Sequence, residues 1–258
     1  AMSIRADLHV HSKVTTRTPF EIEAFEATVR RARRLGLAGF ALTEHVHHPD
    51  FWANLHVLRE RYEYGDGCFA ISPGFGVLTG MELTVAEKAD VVLIGDIGQM
   101  LHFDRSLAPS PSLGYKPPFK DIFRPAREAG LVMIGAHPTK VSRGLLKRLR
   151  KHLARLDALE VNGNQASTKD VEPETRKLAR ALDLPVVGGS DAHVWSQVGV
   201  VTTVLDLPEL TQEGLRRCIA DRSTDVRQVK NLRSIVRVSR AHRTILRREG
   251  RPARRAGR

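Results

Sequence analysis

The chain has 258 residues and a formal net charge of +12, enough length for one large α/β domain with a sizeable core. Its two cysteines, Cys68 and Cys218, exclude a disulfide framework and lead to the expectation of a reducing, cytoplasmic setting. The sequence shows no signal-peptide core and no apolar run of membrane-spanning length, which excludes a helical membrane protein as the expectation.

In chain order, Ile4 to His11 reads as a strand, and PFEIEAFEATVRRARRLGL reads as a helix with Pro19 near its first turn and Gly36 at its end. AGFALTEH is a second strand, and a helix is predicted through WANLHVLRERYEY. VLTGMELTV, DVVLIG, LVMIGAHP, LDALEVNG and PVVGGSDAH follow as short apolar strands. Helical stretches FKDIFRPAREAG, GLLKRLRKHLARL and PETRKLARALD lie among them. Strands alternating with helices predict parallel strands buried on both faces, and about seven such units fit a closed barrel better than an open sheet. MLHFDRSLAPSPSLGYKPPF breaks the rhythm and reads as a long proline-rich loop, either a lid or a surface insertion.

Charge is unevenly spread. From Arg216 onward 15 basic residues meet 3 acidic ones, so the preceding body is neutral. Val229, Leu232, Val236, Ile245 and Leu246 recur loosely at helical spacing, predicting a basic amphipathic helix packed on the body before a disordered end, EGRPARRAGR. The domain division that follows is 2–228 for the body and 229–258 for the basic helix and tail.

In DLHVHS, residues i and i+2 of a strand share a face, so His9 and His11 point the same way. Two imidazoles on one face can hold a cation between them. Metal-binding residue types recur at nearly every strand end: Glu44 and His45 after the second strand, Glu82 within GMEL, His137 in GAHP, Asp191 and His193 in GGSDAH. Asp90 instead opens its strand. In parallel α/β barrels the C-terminal strand ends converge on one face, where active sites are built.

DLHVHS, LTEH, GMEL, GAHP and GGSDAH, in this order from about Ile4 to Val204, resemble the successive motifs of the PHP family, named for polymerase and histidinol phosphatase. The resemblance implies a single-domain, distorted TIM-like (β/α)7 barrel carrying two or three divalent ions (Zn, Mn or Fe) at its C-terminal face. It further implies that His9, His11, Glu82 and Asp191 hold one ion. Glu82 would bridge to a second ion bound by His137, and His45 and His193 would hold a third. Three departures stand out. Glu44 replaces a more usual Asp and is expected to leave a supporting role. The KVTTRT loop lacks a His or Asp for the third ion, which would then be weak or empty. Asp90 stands where many members have histidine and would favour harder ions such as manganese.

Clustered ions bridged by a carboxylate suit phosphate-ester hydrolysis, with a bridging hydroxide as nucleophile and His45 or His193 as proton donor to the leaving oxygen. Arg143, Lys140 and Arg17 are candidate phosphate-binding cations, and His102 in the proline-rich loop is a further candidate contact. Asn162 and Asn164 end a strand on the same face, and His47 and His48 are expected in an exposed loop. The leading expectation is hydrolysis of a small phosphomonoester. The alternatives are a nuclease or nucleotide phosphodiesterase that uses the basic C-terminus on nucleic acid, and a non-catalytic metal-containing module that binds nucleic acid or a partner protein.

Overall fold

The structure, a computed structural model, describes residues 3–15, 18–139, 149–168 and 170–249. Strands β1 (Ile4–Val10), β2 (Gly39–Leu42), β3 (Glu63–Gly65), β4 (Cys68–Ser72), β5 (Phe75–Thr84), β6 (Asp90–Ile94), β7 (Val132–Gly135), β8 (Ala158–Asn162), β9 (Val186–Gly189), β10 (Val201–Leu205) and β11 (Thr224–Gln228) form one sheet. The helices are α1 (Ile22–Arg34), α2 (Phe51–Arg61), α3 (Ile97–Ser106), α4 (Phe123–Glu128), α5 (Arg150–Leu153), α6 (Gly163–Ala166), α7 (Glu172–Leu182), α8 (Gln212–Ala220) and α9 (Leu232–Glu249). Among the described residues no helix is long and apolar enough to cross a membrane.

The strand order is β11-β10-β1-β2-β5-β6-β7-β8-β9, with the β3–β4 hairpin added beside β5. The far end of this path, at β9, returns to β1 and β10. Asp191 N donates to His9 O and His11 N to Ala192 O, both at 2.8 Å, and lower down Gly188 N reaches Thr203 Oγ1 at 2.8 Å. A nearly closed, distorted TIM-like barrel results, with β1, β2, β5, β6, β7, β8 and β9 as its staves. Its interior is apolar below the site: Leu8, Ala41, Leu78, Val92, Ile134 and Val187 are all buried in one cluster. A second layer, with Phe25, Phe40 and Phe75 in edge contact, fills the space between sheet and helices.

The sheet is less uniformly parallel than the alternating pattern predicts. Strand β6 runs antiparallel to both β5 and β7, and β10 and β11 are antiparallel additions. The reversal follows from a short connection, since a parallel return needs a crossover of a dozen or more residues and only 85–89 separate β5 from β6. Helix α2 stops at Arg61, and Tyr64 belongs to β3; Asp66 (φ 50°) and Gly67 (φ 72°) make the tight turn into β4. Pro19 lies before the N-cap Glu21 rather than inside the first turn of α1. The first part of the predicted proline-rich loop, through Ser106, is helical in α3.

A β-bulge in β1 sets the site. Between Asp7 and Val10 the register with β2 shifts by one residue. Leu8 therefore packs into the inner apolar cluster while His9 and His11 also turn toward the barrel axis, the re-aiming a bulge performs.

Candidate metal centre

The strand-end residues converge on one buried cluster. Glu82, near the end of β5, sits at its middle: Oε2 lies 3.0 Å from His45 Nδ1, 3.4 Å from His11 Nε2 and 3.7 Å from His9 Nε2, and Oε1 lies 3.3 Å from His137 Nε2. Asp191 Oδ1 stands 3.6 Å from His11 Nε2 and 4.0 Å from His9 Nε2. Asp90 Oδ2 is 3.4 Å from His137 Nε2. Because β6 is reversed, the start of that strand reaches the same rim as the ends of its neighbours, which brings Asp90 to the cluster.

Among the described residues three interlocked trios arise, each with ligand-type atoms close enough to share an ion: His9, His11 and Asp191; Glu82, Asp90 and His137; His11, His45 and His193. Ligand atoms about 2.0–2.2 Å from one cation stand roughly 3–3.5 Å apart, and these separations are of that order. His9 Nε2 and His11 Nε2 approach to 3.2 Å, and the buried Nδ1 of His45 faces Glu82 without hydrogen-bond geometry. Both arrangements fit a shared cation better than they fit each other. The donor set, imidazoles with carboxylates, suits zinc, manganese or iron. His11 belongs to two trios, so the third set does not depend wholly on the KVTTRT loop.

Electrostatics agree. Burial opposes ionisation of Glu82, but the facing histidines, His45 and His9 foremost, hold its carboxyl well below the usual range. Burial likewise disfavours protonated His9, and the carboxylates of Glu160 and Glu82 overcome it, raising its pKa well above the ordinary value. His137 and Asp191 adopt left-handed backbone, φ 33° and 52°, each at a strand end. Such strain in residues with side-chain branches gathers at functional sites; here His137 N is held by Glu160 Oε2 at 2.7 Å and Asp191 N by His9 O at 2.8 Å.

Glu44 remains in a supporting role, contrary to expectation. Its Oε1 accepts from Ser12 N at 2.7 Å, Ser12 Oγ at 2.8 Å and Lys13 N at 3.1 Å, and Oε2 lies 3.5 Å from His11 Nδ1. Burial would raise its pKa, but His11 and the Ser12 bonds pull it down to about 2. The stability it supplies is present above the ordinary glutamate value and is lost as pH falls through that value toward 2. Glu44→Ala leaves two buried backbone donors without an acceptor, and a loss of about 2–4 kcal/mol is expected in denaturant unfolding at pH 7. A change below about 0.5 kcal/mol would show that the loop finds other acceptors.

His47 and His48 are not exposed. His48 is buried, with Lys13 Nζ 2.8 Å from its Nε2, and His47 is half-buried against the His45 ring, 5.3 Å between centroids. Burial, the neighbouring His45 and Lys116 push His47 down to about 4. Lys116 comes from the proline-rich segment, which returns to this end of the barrel where Ala86 N donates to Pro117 O at 3.0 Å. His102 is exposed on α3, which leaves the barrel at the opposite end, and it belongs to none of the three trios. Arg17, Lys140 and Arg143 lie outside the described residues. Asn162 Nδ2 donates to Glu160 Oε2 at 3.1 Å and Asn164 Nδ2 to Asp191 O at 2.8 Å, so both asparagines brace the cluster.

Sequence reasoning missed Glu160 and Arg243. Glu160 Oε1 accepts from His9 Nδ1 at 2.8 Å, the carboxylate–histidine pairing that orients a metal-binding imidazole. An acid in the middle of the apolar run ALEVN was the available signal, because a strand buried on both faces does not tolerate an unpaired charge.

Comparison with solved structures gives a close global match: PsfC from Pseudomonas syringae PB-5123 superposes with a TM-score of 0.79 at 21% identity, covering 95% of this chain and 100% of that one. A two-domain protein of Bacteroides vulgatus ATCC 8482, containing a predicted PHP-like metal-dependent phosphoesterase, matches with a TM-score of 0.61 at 20% identity over 92% of this chain and 70% of that one. The fold is the PHP fold. A family profile described as PHP-associated also matches residues 174–224. The lesion-specific endonuclease EndoQ from Pyrococcus furiosus shares this PHP fold, with a TM-score of 0.65 at 19% identity over 85% of this chain, which spans 56% of that protein's length. No curated protein matches the chain.

Proposed function

We propose that the chain is a PHP-family metal-dependent hydrolase of phosphate esters, with a small phosphomonoester as its substrate. The observation that carries this reading is the set of three interlocked trios around the buried Glu82. Divalent zinc, manganese or iron bound there, two or three ions, would lower the pKa of water toward neutrality and offset charge on phosphoryl oxygens.

The chain's own residues do the rest. His9, His11 and Asp191 would hold one ion, Glu82, Asp90 and His137 a second, and His45 and His193 a third with help from His11. Glu82 touches all three sets and fixes their spacing. His45 is the most open histidine of the cluster, its side chain 20% exposed against 11% for His193. His193 Nδ1 is also engaged by the Asp191 carbonyl at 3.1 Å. Of the two, His45, where it is not committed to the third ion, is therefore the better placed to give a proton to a leaving oxygen. A structural metal site closes with four ligands and has no use for such a shared cluster, which argues against a non-catalytic module. The free cysteines, Cys68 and Cys218, fit a reducing compartment, and the cytoplasm is the proposed location.

A second reading, a nuclease, is favoured by one observation. The basic helix α9 packs beside the site and exposes Arg233, Arg247 and Arg248, cations suited to a phosphodiester backbone. Purified protein with manganese or zinc, assayed against p-nitrophenyl phosphate, its bis ester and single-stranded DNA, separates the readings. Monoester cleavage lost in His9→Ala is the expected result. Cleavage of DNA without cleavage of the monoester would transfer the assignment to a nuclease, and no hydrolysis by fully metal-loaded protein would overturn both.

A further inference from the structure

The C-terminal helix is pinned to the segments that leave β8 and β9 at the metal centre. Its own Leu232, Val236 and Ser239 are buried against the body, and Ser239 Oγ meets Ser196 Oγ at 2.8 Å. His242 packs edge-on to Trp195, 6.2 Å between centroids, and Arg240 Nη2 donates to Asn164 O at 2.8 Å. Arg243, one turn beyond Ser239, is half-buried and points back over the barrel end, where its Nε donates to Val14 O at 2.8 Å. Val14 lies three residues after His11, so the guanidinium spans from the last helix to the loop of the first motif.

Arg5, also half-buried, spends its Nη2 on Leu35 O, far from the metal centre, and other arginines pair with acids. Arg176 pairs with Glu172 and Asp225, and Arg222 pairs with Asp183. Arg243 has no carboxylate within ion-pair distance among the described residues, although burial and the field of Asp191 both register on it. A half-buried guanidinium with one nitrogen spent on a carbonyl is costly to desolvate unless an anion meets its remaining fork. Its charge also reaches His193, where burial and His11 already disfavour protonation.

We propose that Arg243 is the cation that holds the non-bridging oxygens of the substrate's phosphoryl group over the metal centre, an assignment that rests on the phosphoesterase reading above. The basic C-terminal helix then forms a wall of the active site, and its charge serves substrate binding at one position at least. The guanidinium offers two parallel N–H donors, a planar match to a phosphoryl face that lysine does not reproduce.

The test is calorimetric titration of manganese-loaded protein with inorganic phosphate, run beside p-nitrophenyl phosphate kinetics, metal content and thermal melting. Arg243→Ala should weaken phosphate binding on the order of 10- to 100-fold, as expected for loss of charge-assisted hydrogen bonds. KM should rise by a similar factor with metal content unchanged. Arg243→Lys, which keeps the charge and stem, should recover part of the loss and guards against a failure of the alanine variant to fold. Arg237→Ala, exposed on the same helix, should match the wild type. Phosphate affinity within about twofold of wild type in both Arg243 variants, even with a lowered melting temperature, would reduce Arg243 to a tie between helix and loop and overturn the proposal. So would a wild type that binds no phosphate. A wild type that binds phosphate more tightly than Arg243→Ala yet cleaves no ester would instead overturn the hydrolase reading and leave Arg243 as a phosphate-holding cation of a non-hydrolytic site.

Discussion

Replacement of Glu82 by alanine is expected to strip the site of bound metal and to lower ester turnover by at least about a thousandfold. The magnitude follows from several kcal/mol of metal-borne transition-state stabilisation, at about 1.4 kcal/mol for each factor of ten. Glu82 faces four imidazoles at once, those of His9, His11, His45 and His137, within 3.0–3.7 Å. Without it those imidazoles lose the negative charge that lets them crowd together. The same substitution carries a pH signature in metal-free protein. Glu82 has a depressed pKa, so its contribution is present above the ordinary value of about 4.3 and is lost below it. His9 and His45 have raised values, so theirs are complete below about 6.5 and decline as pH rises further. Metal-free wild type should therefore be most stable between about pH 4.3 and 6.5 with respect to these groups, and Glu82→Ala should flatten that maximum in thermal melts. Elemental analysis of the variant settles the first half of the expectation. A full complement of metal with turnover within tenfold of wild type would show that Glu82 is a bystander.

The ligand-type residues were legible in the sequence because chemistry and period coincide. Two histidines at i and i+2, and acids or histidines closing one apolar run after another, are visible without any structure. What brings them together was only partly visible. The reversal of β6 could be inferred from the five-residue spacing between Thr84 and Asp90, too short for a crossover helix, yet the apolar run DVVLIG looks the same in either direction. The bulge in β1 leaves no mark in the residue types, although it decides that Leu8 and His9 both face inward. Asp66-Gly67 was a readable hairpin signal hidden by helical-looking residues just before it. Burial of His48 depends on Lys13, thirty-five residues away in sequence, and the role of Glu44 depends on two backbone donors at Ser12 and Lys13. Long-range partners of that kind have no periodic signature. The basic helix was foreseen as packing on the body, but its net charge concealed Arg243, which turns inward to Val14 O.

Glu160 and Gly189 carry the second large effect, since they govern which nitrogen of His9 bears the proton. Glu160 Oε1 accepts from His9 Nδ1 at 2.8 Å, so in the neutral imidazole that a metal requires Nε2 is the unprotonated nitrogen, facing His11 and Asp191. In Glu160→Gln, Oε1 of the amide is best spent on His137 N, now held at 2.7 Å by Glu160 Oε2, and the amide N–H then faces His9 Nδ1. His9 must accept there, its proton moves to Nε2, and the nitrogen that faces the cluster can no longer be a ligand. Metal affinity is expected to fall 10- to 100-fold, the usual cost of losing such a supporting carboxylate. Gly189→Ala tests the same contact without altering a titratable group. A Cβ at that position would stand 2.5 Å from Glu160 Oε1 and 2.5 Å from His9 Cβ, so either the pair separates or β9 withdraws from β1. Both variants should release manganese or zinc to a competing chelator at lower chelator concentration than wild type while retaining every direct ligand. If Gly189→Ala binds metal as wild type does while Glu160→Gln does not, the carboxylate acts through its charge alone and the close packing of β9 on His9 has no part in holding the imidazole. If both bind as wild type, His9 is positioned by its strand and the tautomer argument fails.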